Sequence, residues 1–267
     1  MTLGLRYLKG HGTENDFIVL PDPDGVIDLT PALVQRLCDR RAGLGADGVL
    51  RVVPCAVEPA AAAYAEQAHW FMDYRNADGS VAEMCGNGVR VFARYLVDAG
   101  LARSGPLRLA TRGGIKEVEV PTSGDVTVDM GPAVVGDPIL IDGAPATVVD
   151  MGNPHAVLVV PCVEALGVLH PDRLDRNVEY VEQTGPTQLR MRVHERGVGE
   201  TRSCGTGACA AVVATALRTG SARGTAYDVE VPGGRLVVVW REDGHLLLTG
   251  PAVLVSAGEL RRDWLDG

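Results

Sequence analysis

A short motif occurs twice in this chain. "VAEMCGNGVR", Val81 to Arg90, and "TRSCGTGACA", Thr201 to Ala210, each place a cysteine before Gly-x-Gly. Each then enters a helical pattern that ends at a glycine, "GNGVRVFARYLVDAG" and "GTGACAAVVATALRTG". The repeat extends further. "GTENDFIVLP" near the start and "MGNPHAVLVVP" at Met151 to Pro161 both set an asparagine just before an apolar strand closing in proline. The order is thus the same in both halves: an asparagine-led strand, further strands, a strand entering Cys-Gly-x-Gly, then a helix. Such an internal duplication predicts two compact domains facing each other, with a boundary near "DMGPAVVGDP". The expected division is 1–130, carrying Cys85, and 131–255, carrying Cys204. Strand-like runs such as "DFIVLP", "GVLRVV", "WFMDYRN", "LRMRVHERG" and "RLVVVW" outnumber the helical ones, of which "LTPALVQRLCDRR" has Thr30 as N-cap and Pro31 at its first helical position.

At 267 residues the chain is long enough for either half to bury a core. Its formal charge of −9, with no Lys/Arg block, repels nucleic acid and anionic membranes. No run approaches the roughly 18 apolar residues of a membrane span, and "MTLGLRYLKG" lacks the apolar core of a signal peptide. A soluble, cytoplasmic protein is expected. The six cysteines form neither Cys-x-x-Cys nor a zinc pattern, so reduced thiols and no metal site are expected. Lysine occurs only at Lys9 and Lys116, which leaves few candidates for a Schiff base with pyridoxal phosphate. "GLGADG", Gly43 to Gly48, fits a dinucleotide fingerprint in spelling but follows a helix and precedes a strand, the reverse of the required context. It reads as a turn that can line the site.

A cysteine at a helix start sits among unpaired N–H groups that favour negative charge, so its pKa can fall toward neutrality. The glycines behind it allow close approach of a ligand, and the N–H groups of Gly86, Asn87, Gly205 and Thr206 can cradle a carboxylate. With an amino-acid α-carbon between two sulfurs, one thiolate removes the α-proton while the other thiol protonates the opposite face. That is racemisation or epimerisation. Cys38, Cys55, Cys162 and Cys209 read as small core hydrophobes instead. A thiol–disulfide pair is the competing use of Cys85 and Cys204, without the usual Cys-x-x-Cys motif to support it. A non-catalytic amino-acid-binding module is a third.

Polar residues gather at turns and strand ends: Asn15, Asn76, Asn153 with His155, Asn177, and Glu195 with Arg196. One such asparagine commonly satisfies its own turn, whereas four shift the balance toward a ligand. Glu195 and Arg196 could hold an ammonium and a carboxylate, or form a surface ion pair. His155 could bias a nearby thiol's protonation or cap a strand network.

With these residues assembled, the sequence resembles the diaminopimelate epimerase family. "GHGTENDF", "GLGADG", "YRNADGSVAEMCGNGVR", "GNPH" and "HERGVGETRSCGTG" look like its signatures, in its order and across nearly the whole chain. The resemblance implies interconversion of L,L- and meso-diaminopimelate, in lysine and peptidoglycan precursor synthesis, without a cofactor. It implies Cys85 as proton donor and Cys204 as acceptor in the direction conventionally written, the roles swapping in reverse. It implies substrate contacts from Asn15, Asn76, Gly86, Asn87, Asn153, Asn177, Glu195, Arg196, Gly205 and Thr206, with His155 and Glu195 tuning the thiols. The implied fold is α/β (α+β): two pseudo-symmetric domains, each a barrel-like, mostly antiparallel sheet around a central helix. The tail, 256–267, is expected to return to the first domain, and a homodimer is a further expectation. In one departure, many relatives carry glutamine after "GLGAD" as a substrate contact; Gly48 stands here and can offer only its backbone. Proline racemase is the alternative within the superfamily. Its motifs resemble Cys-Gly-His-Gly and a second cysteine preceded by proline, neither of which matches Cys85-Gly86-Asn87-Gly88 or Ser203-Cys204.

Overall fold

The computed structural model describes residues 4–266. The chain forms two compact units, one running up to Val126 and resuming at Ala252, the other spanning Thr127–Pro251.

The first unit contains β1 (Arg6–Gly12), β2 (Asn15–Pro21), α1 (Pro31–Cys38), β3 (Gly48–Pro54), β4 (Trp70–Asn76), α2 (Gly86–Asp98), β5 (Gly105–Thr111) and β6 (Gly114–Val120). Along β1 to β6 the pairings run antiparallel, parallel, antiparallel, parallel, antiparallel. A parallel pair cannot be closed by a tight turn and needs a crossover. Here α1 carries the chain from β2 to β3, and α2 carries it from β4 to β5.

The second unit contains β7 (Val126–Pro132), β8 (Val134–Val135), β9 (Ile139–Ile141), β10 (Ala144–Asp150), β11 (Pro154–Val159), β12 (Asn177–Gln183) and β13 (Gln188–Glu195). It continues with β14 (Gly199–Thr201), α3 (Gly205–Thr219), β15 (Ala226–Val231), β16 (Gly234–Trp240) and β17 (His245–Gly250). Along β10, β11, β12, β13, β15 and β16 the pairings again run antiparallel, parallel, antiparallel, parallel, antiparallel. The duplication read from the sequence is therefore a duplication of topology. Its first parallel crossover differs, because a loop through residues 160–176 replaces the helix.

After the second unit, β18 (Val253–Glu259) pairs antiparallel with β1, and α4 (Arg262–Asp266) follows. The Arg36 guanidinium lies over the Trp264 ring at 4.6 Å and ties α4 to α1.

Each unit wraps its strands around one helix. Every residue of α2 from Gly86 to Leu96 is buried, and in α3 the same holds from Gly205 to Ala216 apart from Thr206. A helix covered on all sides needs small or apolar residues all round. The alanines and valines of "GTGACAAVVATA" meet that need in α3, while in α2 the buried Arg90 and Arg94 must find polar partners. Arg94 donates to the carbonyls of Pro121 and Gly124 at 2.8 and 2.9 Å. At α1, the Thr30 side chain accepts from the Leu33 N–H and Pro31 opens the helix, as its sequence predicts. "GLGADG" is the turn from α1 into β3.

Candidate active site

In the first unit the site is built on the N-terminus of α2. Cys85 is the N-cap, extended at φ −144° and ψ 120°, and its carbonyl accepts the Val89 N–H at 2.8 Å. Its thiol donates to Asn15 Oδ1 at 3.6 Å, and the same oxygen accepts from Asn87 Nδ2 at 3.2 Å. Asn15 reaches this place because the β1–β2 turn takes two left-handed residues, Thr13 (φ 50°) and Glu14 (φ 61°). The buried Arg90 braces that turn, donating to Thr13 Oγ1 and to the Gly86 carbonyl, each at 3.3 Å. Gly12 packs tightly here, since a Cβ would lie 3.0 Å from both Arg90 Nη2 and the Asn87 carbonyl.

The amide of Asn15 is held from its other end. Asn15 Nδ2 donates to Asp47 Oδ2 at 2.8 Å, which turns its carbonyl toward Cys85 and Asn87. Asp47 and Asp16 share Arg40, which donates to both at 2.8 and 2.7 Å. Burial raises the Asp16 pKa, but the hydrogen bonds from Arg40 and Lys9 outweigh it and hold the carboxyl below its ordinary range. Gly48 lies opposite Phe17 in β2 and opposite Asn76 in β4. A Cβ at Gly48 would stand 2.6 Å from the Arg75 carbonyl and 2.7 Å from Tyr74 Cε2, so no side chain fits at that position. Asn76 closes β4, with its Nδ2 donating to Ser80 Oγ at 2.9 Å.

In the second unit the site is built on the N-terminus of α3. Cys204 is the N-cap, at φ −128° and ψ 116°. Its sulfur accepts from the Gly207 N–H at 3.4 Å and lies 3.4 Å from Thr206 Oγ1. Asn153 Oδ1 lies 3.0 Å from His155 Nε2, and Glu179 Oε1 lies 2.6 Å from His155 Nδ1. Asn177 Oδ1 accepts the Arg196 N–H at 2.8 Å, leaving the Arg196 side chain exposed. Glu195 accepts from the Thr201 hydroxyl and is in contact with the Cys204 thiol.

Corresponding residues fill corresponding places in the two units. Asn15 and Asn153 lead β2 and β11, and Cys85 and Cys204 cap α2 and α3. Phe17 opposite Gly48 matches His155 opposite Asn177. Gly48 opposite Asn76 matches Asn177, one step beyond the Val178–His194 pair, at the end where Glu195 closes β13. Gly86 with Asn87, and Gly205 with Thr206, supply first-turn N–H groups that have no acceptor within their helices. Cys38, Cys55 and Cys209 are buried, and Cys162 is half-buried.

A helix start can lower a thiol, yet at Cys204 the balance runs the other way and the thiol is pushed well above its ordinary value. Burial is the largest cause, and the carboxylates of Glu195 and Glu179 act in the same sense, against the hydrogen bonds from Thr206 and Gly207. Glu195 is likewise raised, first by burial, with Thr201 opposing and Glu179 adding to it.

Sequence reasoning missed Glu179 and the anchoring role of Asp47. Glu179 alternates with Val178 and Tyr180 as a solvent-facing strand residue would, yet it is fully buried because α3 covers that face. The signal that could have found it is its counterpart in the repeat, Leu50, an apolar residue at the same step after the motif asparagine or glycine.

A profile of the diaminopimelate epimerase family matches residues 7–136 and 147–255. The diaminopimelate epimerase of Streptomyces coelicolor is 54% identical, covering 100% of this chain and 99% of that one. The diaminopimelate epimerase of Thermobifida fusca is 50% identical, covering 96% and 98%. Among solved structures, a phenazine biosynthesis protein of the PhzF family from Bacillus anthracis superposes with a TM-score of 0.73 at 15% identity. That match covers 96% of this chain and 99% of the other, a likeness of fold.

Proposed function

Because the chain belongs to the diaminopimelate epimerase family and is an isomerase of lysine biosynthesis acting on diaminopimelate, we propose that it inverts the substrate's α-carbon with two of its own thiols, Cys85 and Cys204. One observation carries this reading. In both units a cysteine occupies the N-cap position of the buried helix, at the same point of the same strand order, with an asparagine at or just before the start of the matching strand.

From L,L- to meso-diaminopimelate, Cys204 accepts the α-proton and Cys85 delivers a proton to the opposite face; in the reverse direction they exchange roles. Cys204 rests as a thiol, so it must first give up its proton. Glu195, in contact with it and itself raised by burial, is the matched acceptor. The substrate carboxylate and the charge that develops beside it fall to the N–H groups of Gly86, Asn87, Gly205 and Thr206. Asn15, Asn76, Asn153 and Asn177 hold the remaining polar groups, and the exposed guanidinium of Arg196 suits a carboxylate. Gly48 contributes backbone only. In this reading the enzyme is a cytoplasmic homodimer that uses no cofactor and has neither nucleic acid nor membrane as partner. The charge of −9 supports the last point, and no helix among the described residues is long and apolar enough to cross a membrane.

The test is purified protein with L,L-diaminopimelate in D₂O, reduced and without pyridoxal phosphate. Formation of the meso isomer bearing deuterium at the inverted α-carbon is expected, and absence of both product and exchange would refute the reading.

A further inference from the structure

The two half-sites match in topology but not in chemistry. In the first unit, the residues beneath the helix start are Phe17 and Leu50: a Cβ at Gly88 would meet Leu50 Cδ2 at 3.3 Å, Phe17 Cζ at 3.5 Å and Cys85 Cβ at 3.6 Å. In the second, a Cβ at Gly207 would meet Glu179 Oε1 at 2.7 Å, Glu179 Cγ at 3.2 Å and Cys204 Cβ at 3.3 Å. Phe17 and His155 share one register position, each two residues after the leading asparagine. Leu50, opposite Val19, and Glu179, opposite Val157, share the other. All four side chains are fully buried.

Stability does not explain the charged version. A buried acid–imidazole pair carries a desolvation cost that a well-packed apolar pair avoids, and the first unit shows that Phe and Leu fill these places. Glu179 Oε1 takes the His155 ring, while Oε2 has no hydrogen-bond partner among the described residues, which adds to the cost. Both ring nitrogens face oxygens, Glu179 on one side and Asn153 on the other.

We propose that Glu179 is a positioning residue of the Cys204 half-site, holding His155 through Nδ1 and giving Cys204 an ionisable floor where Cys85 has an apolar one. The proposal rests on Cys204 being a catalytic thiol. Gly207 is the complementary part, since any side chain there would displace the carboxylate. The ionisable groups facing Glu179 are His155 from β11, Glu195 from β13 and Cys204 from α3. The carboxylate repels a thiolate at Cys204, adding to the effect of burial and of Glu195. The repeat therefore sets its two thiols over floors of different chemistry within one fold unit.

The test is Glu179→Gln, isosteric and uncharged, read in two ways. Imidazole ¹⁵N–¹H NMR of the wild type should show a strongly downfield Nδ1 proton at His155, as a short charge-assisted bond gives, and the variant should lose it. This readout does not depend on turnover. Under saturating diaminopimelate, kcat should fall by about 10²-fold with KM little changed, the lower end of an acid–base contribution. The pH profile of kcat/KM should also move. The double variant Glu179→Leu with His155→Phe copies the first unit's floor and should fold with the same or higher Tm while losing kcat at least as severely. Wild-type kcat and pH profile in Glu179→Gln, or wild-type kcat in the double variant, would overturn the proposal. A wild-type enzyme that makes no meso isomer would instead overturn the epimerase reading and leave the NMR result to decide the pairing.

Discussion

Asn15 donates its side-chain amide to Asp47 across 2.8 Å, and so presents its carbonyl to the Cys85 thiol at 3.6 Å. The catalytic consequence of Asp47 should exceed its structural one. Its pair with Arg40 lies at the surface, where such a contact contributes about 0–1 kcal/mol. Turning the Asn15 amide over would set its NH₂ group, not its carbonyl, against the thiol. Asp47→Ala should therefore cost less than about 1 kcal/mol in urea unfolding while lowering kcat/KM by about tenfold to a hundredfold. Unchanged kinetics would show that Asn15 orients without Asp47.

Glu195 and Cys204 share one environment, and their protons belong to the pair. On the proposed mechanism the half-site works with one proton on that pair and fails when a second is added. Because Glu195 is raised by burial, the acid limb of kcat/KM should lie above the ordinary carboxylate value of about 4.3. Glu195→Gln should abolish that limb and reduce kcat by about 10²-fold. A limb that survives in the variant would assign it to another group.

Asp73 joins three arginines of the first unit. It contacts Arg112 at 2.8 Å, Arg75 at 2.9 Å and Arg51 at 3.3 Å, and its side chain is 1% exposed. Burial raises its pKa, but the hydrogen bonds from Arg75 and Arg112 outweigh this and hold it low. A carboxyl whose folded pKa is depressed contributes stability above its unfolded value, about 3.9, and loses it as pH falls below. Asp73→Asn should cost about 3–5 kcal/mol at pH 7 and flatten the stability profile below pH ~4. Urea unfolding across pH measures both, and an unchanged midpoint at pH 7 would contradict the assignment.

Gly48 is a packing requirement. Gly48→Ala must move the Arg75 carbonyl, 2.6 Å from the new Cβ, and so shift β4 against β3. A loss of about 1–3 kcal/mol is expected. Equal stability would mean that the strands separate freely at this edge.

The parts of the fold that could be read from the sequence are those with strong local signals. "WFMDYRN" is β4, "RLVVVW" lies in β16, and the Thr30–Pro31 start of α1 is as spelled. β12 was harder, because "NVEYVEQ" opens with asparagine and carries two glutamates, residues that strands disfavour. β18 gives no hint of its partner β1, which lies at the other end of the chain. The candidate site was legible through its cysteines and asparagines, whose order along the chain, not their spacing, repeats in the two halves. Glu179 and Asp47 were not, since each acts through a neighbour brought close only by folding. The raised Cys204 thiol was illegible for a related reason. A helix start is a local feature visible in sequence, whereas burial and two approaching carboxylates are not.

The central claim, that two thiols act from opposite faces, is tested most directly by following deuterium at early conversion of L,L-diaminopimelate in D₂O. The product should carry deuterium at the inverted centre while recovered substrate carries almost none, and Cys85→Ala and Cys204→Ala should each abolish turnover. Equal labelling of substrate and product, or full turnover in either variant, would contradict it.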